Sequence, residues 1–481
     1  MTTFFLKLRM VAAFLAALAL FGCASTGGPL GLSPAQEQAL GEQQHPQIVA
    51  AFGGEVDDPA LKAYVQRIFD RLVQSSDQPN AQLKLTVLDS PVVNAMALPG
   101  HVYVTRGLLA LANSEAELAG VLGHEIGHVF MRHTAKRVSR GNLAQIGAAA
   151  AAILTGDEST AQLAGQAAQL YLLRFSRQQE YESDQIGVRL LGRAGYDPLA
   201  EAVFLNTLGA WSSLEAQIAG AQRPPEYLST HPNSANRVER AVQEANLLRQ
   251  DGTASGERNR NAYLNAIDGL LYGDDPVKQG YIDGRNFVHP QIGIAFTVPI
   301  GFELQNSSQA VYARSSSGAQ MQFTSGASNE SPSALIEGPI SQSLGVNLAP
   351  ARAGSINGRA AATGRARANT QSGQVDVTAY VIRWEGTTNY VFLWVTPAQT
   401  TGQLQRQIDQ SVQSLRDIDP ASVNPPPPRR VDIVTAQRND TAAGLSSYMA
   451  FPSYRAERFW IMNGLSAGAA VRSGERYKLV R

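Results

Sequence analysis

Ser114-Glu115-Ala116-Glu117-Leu118-Ala119-Gly120-Val121-Leu122-Gly123-His124-Glu125-Ile126-Gly127-His128 is the stretch on which the reading of this chain turns. Ser114 and Glu117 have the spacing of a capping box and stand ahead of Leu118, Val121 and Leu122, which predicts a helix that starts here and runs through the two histidines. On that helix His124 and His128 lie one turn apart on one face, where two imidazoles can reach a single ion. Glu125 is rotated about 100° from His124, so it can touch a metal-bound water without being a ligand. Zinc accepts three protein ligands with an open fourth position and lowers the pKa of bound water toward about 7. The bland alternative is a surface helix with two solvated histidines. In a chain with 7 histidines, however, this pattern arises by chance in fewer than about one such sequence in a hundred.

A third ligand is needed, and Glu180-Tyr181-Glu182-Ser183-Asp184 offers one. Its helical spacing puts Glu180 and Asp184 on one face, one turn apart. Glu180 is the candidate ligand, and Asp184 could orient a ligating histidine from behind. Read without the first motif, this acidic pair would be a solvated helix face.

Four motifs occur in order: Asn94-Ala95-Met96-Ala97-Leu98-Pro99-Gly100, the HExxH, the ExxxD at Glu180 to Asp184, and Ser229-Thr230-His231-Pro232. This combination resembles the gluzincin family of the CAAX prenyl endopeptidases, HtpX and BepA, over about Ser33 to Arg249. The resemblance implies a zincin-like metalloprotease domain with one zinc ion per chain, held by His124, His128 and Glu180, with Glu125 as the general base. It implies that His231 sits over the metal, in transition-state stabilisation or as a cap on a resting site; by itself, a histidine before a proline at a helix entry is more often structural. Unfolded or misassembled envelope proteins are the implied substrates. The competing class is an envelope chaperone or peptidoglycan-associated binding protein whose zinc is structural or latched. Glu125 discriminates, because a purely structural zinc site has no use for a base beside the metal.

The chain departs from the integral-membrane members of that family. The Ala-rich stretch Ile146 to Leu154 is about nine residues, short of the roughly twenty a spanning helix needs, so a buried or lid helix is expected there. The tetratricopeptide pattern found in BepA is missing from the C-terminal half. Among the other histidines, His133 is expected to be solvated, and His45, His101 and His289 are given no role. Val102-Tyr103-Val104 is a candidate edge strand against which an extended peptide could pair.

The 481 residues suggest about three domains. The expected fold class is α+β. Residues 33–250 form the helix-rich domain, with Leu61, Val65, Ile68 and Leu72 at helical spacing and Leu83, Leu85 and Val87 alternating as a short strand. A connecting segment, 251–286, leads to a β-rich α/β sandwich domain of unknown role at 287–419. There Val375 to Trp384 and Tyr390 to Thr396 read as a hairpin, followed by a helix with Leu404, Ile408, Val412 and Leu415 on one face. A Pro-rich linker, 420–430, with Pro425 to Pro428 in an extended run, is expected to hold residues 431–481 apart. That last segment resembles a degenerate LysM module through Asn439-Asp440-Thr441, Asn463-Gly464 and Gly474 before Tyr477 to Val480, which makes peptidoglycan a possible partner.

At the N-terminus, Lys7 and Arg9 precede an apolar run from Met10 to Phe21, as in a secretory signal over residues 1–22. Cys23, the chain's one cysteine, follows in a lipobox-like setting and is the expected lipidation site, which makes a lipid anchor the only expected membrane contact. An outer-membrane lipoprotein facing the periplasm is the expected form, or a periplasmic protein if Cys23 is not lipidated. Lys plus Arg and Asp plus Glu both number 40. No global field or basic patch then favours nucleic acid, and none is expected as a partner.

Overall fold

Ser33 caps α1 (Pro34–Ala51), the first helix among the described residues, in a complete capping box with Gln36. The computed structural model describes residues 33–136, 175–219, 231, 235–250, 252, 256–307, 310–370 and 373–481. The signal segment, Cys23 and the stretch from Ile146 to Leu154 lie outside these. The described residues fall into two compact units, one within 24–273 together with 429–481 and the other within 274–428.

In the first unit, Asp58 caps α2 (Pro59–Gln74), whose Leu61, Val65, Ile68 and Leu72 are buried as their spacing predicts. Three strands follow: β1 (Lys84–Leu88), β2 (Ala95–Leu98) and β3 (His101–Thr105), in the order β1-β3-β2. The expectation of an edge strand at Val102 to Val104 is corrected here. β3 is central, paired in parallel with β1 and antiparallel with β2, and all of its residues are buried. A strand covered on both faces carries a continuous apolar run, which is what these residues show. The edges belong to β1 and β2.

Thr105 ends β3 and caps α3 (Arg106–Leu111), and Ser114 caps α4 (Glu115–Phe130) by accepting from the Glu117 amide. The box is half made, because the Glu117 carboxylate accepts from the Asn113 amide at 2.9 Å. α5 (Arg177–Arg193) begins in a complete Ser176–Gln179 capping box and crosses α4 at glycines. A Cβ on Gly123 would lie 3.1 Å from Gly187 Cα, and one on Gly127 would lie 3.1 Å from Ser183 Cα. Only glycine permits so close an approach, and it brings the two metal-binding candidate segments together. α6 (Ala200–Ala219), α7 (Ala235–Gln250) and α8 (Arg260–Ile267) complete the helical layer.

The unit within 274–428 holds a seven-stranded and a four-stranded sheet. The expected hairpin is present as β4 (Gly373–Arg383) and β5 (Thr388–Pro397), paired antiparallel. α9 (Thr401–Gln413) buries Ile408 and Val412, and Phe296, Phe323, Phe392 and Trp394 centre the core.

Residues 431–481 fold into β6 (Val431–Thr435), α10 (Ala442–Ser447), α11 (Arg455–Met462) and β7 (Arg476–Val480), with β6 and β7 antiparallel. They do not stand apart, which corrects the expected separate module. Val431, Leu445, Phe459 and Leu479 share one apolar core with Leu109, Leu118, Trp211 and Tyr263. The backbones of Val431 and Leu270 are bonded at 2.8 Å, and buried Lys478 donates from Nζ to the carbonyls of Ala110, Leu111 and Ala112 at 2.9, 3.0 and 2.7 Å. A fifty-residue segment has too little apolar interior of its own, so it completes a larger one. Among the described residues no helix is long and apolar enough to cross a membrane.

Candidate metal centre

α4 delivers His124, Glu125 and His128, and α5 delivers Glu180 and Asp184; all five are buried, with Glu125 at 0% exposure. His231 joins them, and His124, His128, Glu180 and His231 form one cluster able to hold a metal ion. The Nε2 atoms of His124 and His128 are 3.0 Å apart. Glu180 lies 3.7 Å from the first and 3.6 Å from the second. His231 Nδ1 is 3.3 Å from His124 Nε2 and 3.1 Å from Glu180 Oε1.

The partners behind the rings assign their tautomers. Asp184 Oδ1 can only accept, so His124 donates to it from Nδ1 at 2.8 Å and keeps a bare lone pair on Nε2. Glu182 accepts from His133 Nε2 at 3.1 Å, which leaves His133 Nδ1 to accept from His128 Nδ1 at 3.0 Å. His128 Nε2 is therefore bare as well. Two lone pairs facing each other in a dry site repel, and a cation between them removes the conflict. The spacings of 3.0 to 3.7 Å bracket the edge of about 3.3 Å of a tetrahedron whose metal–nitrogen bonds are about 2.0–2.1 Å, so this nitrogen-and-carboxylate set fits zinc.

Glu125 carries the second informative observation. Both of its carboxylate oxygens are buried without a hydrogen-bond partner, a costly arrangement unless they face a reacting molecule. The nearest ion-pair contact is His231 Nε2 at 3.6 Å. Burial raises the Glu125 pKa above the ordinary carboxylate range, partly offset by His231 and His124. Burial would lower His231, but the Glu180 and Glu125 carboxylates outweigh it and raise its pKa.

Arg237, on α7, was not singled out by its sequence context. It is 1% exposed, and its guanidinium bonds Asp184 at 2.6 and 2.8 Å and reaches Glu180 Oε2 at 2.7 Å. Burial would raise the Asp184 pKa, but this guanidinium overrides it and pulls the carboxyl down to about 2. Glu180 is lowered too, because His231 and Arg237 outweigh its burial. Glu201, on α6, was also missed; burial first, then Asp184, push its pKa well up, and it sits 4.0 Å from His124 Nδ1.

The expectation that His133 is solvated is corrected: it is 0% exposed and part of the chain that orients His128. The turn after α4, with Arg132 at φ 55, folds it back onto the site. His45 and His101 are stacked on each other elsewhere, with centroids 4.6 Å apart, and take no part in the cluster.

Known proteins resemble this chain over the segments that carry the site. Residues 59–245 match the sequence profile of peptidase family M48. The chain is 30% identical to the beta-barrel assembly-enhancing protease of Yersinia pestis over 295 residues, covering 55% of this chain and 59% of that protein. The protein of the same name from Escherichia coli K12 is 30% identical over 47% of either chain. The mitochondrial metalloendopeptidase OMA1 of Schizosaccharomyces pombe is 28% identical over 42% of this chain and 59% of its own length. The chain thus spans about half to three fifths of these curated relatives.

Proposed function

We propose that this chain, whose residues 59–245 match peptidase family M48, is a zinc-dependent endopeptidase acting on unfolded or misassembled proteins of the cell envelope. The observation that carries the reading is the pairing of a closed donor set, His124, His128 and Glu180, with an adjacent Glu125 whose two carboxylate oxygens have no hydrogen-bond partner. A structural zinc site has no need of that second feature.

In this reading zinc supplies a Lewis acid and a bound water with a pKa near about 7. Glu125 accepts the water proton and passes it to the leaving amine; its raised pKa suits both halves of that exchange. His231 donates from Nε2 to the developing oxyanion, and its raised pKa favours the imidazolium that does so. Asp184 and Arg237 fix the tautomer and position of His124. An extended substrate pairs with β2, an edge strand of its sheet, and so runs beside α4.

The proposal also includes a lipid anchor at Cys23, an outer-membrane location facing the periplasm, and peptidoglycan contact through residues 431–481. These rest on the lipobox-like setting and the LysM-like motifs in the sequence, and the names of the bacterial relatives support an envelope role. One observation favours a second state of the same site: His231 Nδ1 belongs to the ligand cluster and could fill the fourth position at rest, latching the enzyme.

The test is to incubate the zinc-loaded full chain with a β-barrel outer-membrane protein, once denatured and once folded. Cleavage of the denatured form alone, stopped by a zinc chelator, is expected. A zinc-loaded chain that leaves both intact contradicts the endopeptidase reading.

A further inference from the structure

A cavity lies away from the metal centre, where α3, α6 and the segment 429–481 meet. Its volume is about 310 Å³, and its lining includes Arg106, Arg429 and Arg458 beside Trp211, Tyr272 and Phe451. Three guanidiniums around one cavity of this size is an unusual density of positive charge, and the rings explain how it is held. Arg458 lies 4.5 Å over Phe451 and 5.2 Å over Trp211, and Arg429 lies 5.6 Å over Phe451. Cation–π contact keeps the Arg458 and Arg429 guanidiniums in place while leaving in-plane N–H groups to donate, and Arg106 is held instead by Asp89 and two backbone carbonyls.

The donors are not all used. Arg106 is 2% exposed; its Nε bonds Asp89 at 2.7 Å and its Nη1 bonds the carbonyls of Leu271 and Gly273, yet its Nη2 is buried with no partner. Arg458 pairs with Glu215 at 3.1 Å, and its Nε is likewise buried and unpartnered. Arg429 has no carboxylate partner among the described residues. Buried donors left open cost stability unless something accepts from them.

We propose that this cavity is a binding site for a small oxyanion, carried as a carboxylate or a phosphate on a compact ligand. Guanidiniums recognise planar and tetrahedral oxyanions through paired N–H groups, and a cavity near the lower limit of about 300 Å³ for ligand sites admits only a compact group. Glu215 is the one acid in the lining and opposes an anion, so it tunes affinity downward. Because the walls come from both α6 and the segment 429–481, a bound anion clamps that segment to the protease fold.

The experiment titrates the zinc-loaded full chain by calorimetry with inorganic phosphate, and separately with N-acetyl-alanyl-alanine as the free acid and as its amide. Saturable binding of phosphate, or of the free acid but not the amide, is expected, and which of the two binds identifies the source of the oxyanion. Arg429→Gln should weaken it about tenfold, as loss of one charged hydrogen-bond donor does. Glu215→Gln should strengthen it by a similar factor, a gain that misfolding cannot mimic. Neither anion binding, or binding that both substitutions leave unchanged, overturns the proposal. Zinc content and cleavage, measured alongside, report on the metal centre independently.

Discussion

The Nε2 atoms of His124 and His128 face one another at 3.0 Å, and neither ring can turn its lone pair aside, because Asp184 holds Nδ1 of the first and His133 holds Nδ1 of the second. The fold therefore stores an electrostatic conflict that a cation relieves. Stripping zinc with a chelator is expected to lower the melting temperature, and one equivalent of zinc per chain should restore it. Binding to the native state alone stabilises by about 2.7 kcal/mol at a hundredfold excess over Kd. A melting curve that ignores both chelator and zinc contradicts the assignment.

Arg237 neutralises two buried carboxylates at once. Arg237→Leu leaves Glu180 and Asp184 uncompensated and is expected to cost about 3–5 kcal/mol in chemical denaturation, with Arg237→Lys only partly restoring it because a lysine cannot reproduce the two-pronged contact. Equal stability of all three proteins would show that the guanidinium is dispensable.

His133→Phe keeps a buried ring but removes the acceptor that sets the His128 tautomer. Zinc affinity should fall by about 10- to 100-fold in a competition assay with a fluorescent chelator, the usual effect of losing a partner behind a ligand. Unchanged affinity would reduce His133 to packing.

Deleting residues 429–481 is expected to unfold the protease unit, because it strips Val431, Phe459 and Leu479 from the shared core and leaves the carbonyls of Ala110 to Ala112 without Lys478. Circular dichroism and zinc content together decide this. A truncated chain that still melts cooperatively and binds zinc would restore the picture of an independent module.

What the sequence made legible was local. Ser114 before an apolar run marks the start of α4, the four-residue spacings put His124 with His128 and Glu180 with Asp184, and the β4–β5 hairpin shows in two long apolar runs around Gly386. What it concealed depends on packing between distant segments. Arg237 reads as one basic residue in a polar helix until α7 lies against α5, and His133 reads as solvated until the turn at Arg132 folds it back. The proline run suggested a tether, but the neighbouring Val431 bonds the backbone of Leu270 and carries the last segment into the core. The glycines at 123, 127 and 187 could have hinted at the α4–α5 crossing, since three glycines inside helices need a reason.

If Glu125 is the base that takes the proton from a zinc-bound water, Glu125→Gln separates that role from a structural one. The amide keeps the size of the side chain but cannot take the proton. The variant is expected to bind one zinc per chain, melt at or above the wild-type temperature because a buried unpaired carboxylate has been removed, and cleave denatured protein at least about a hundredfold more slowly. A zinc-loaded variant that cleaves at the wild-type rate would contradict the account.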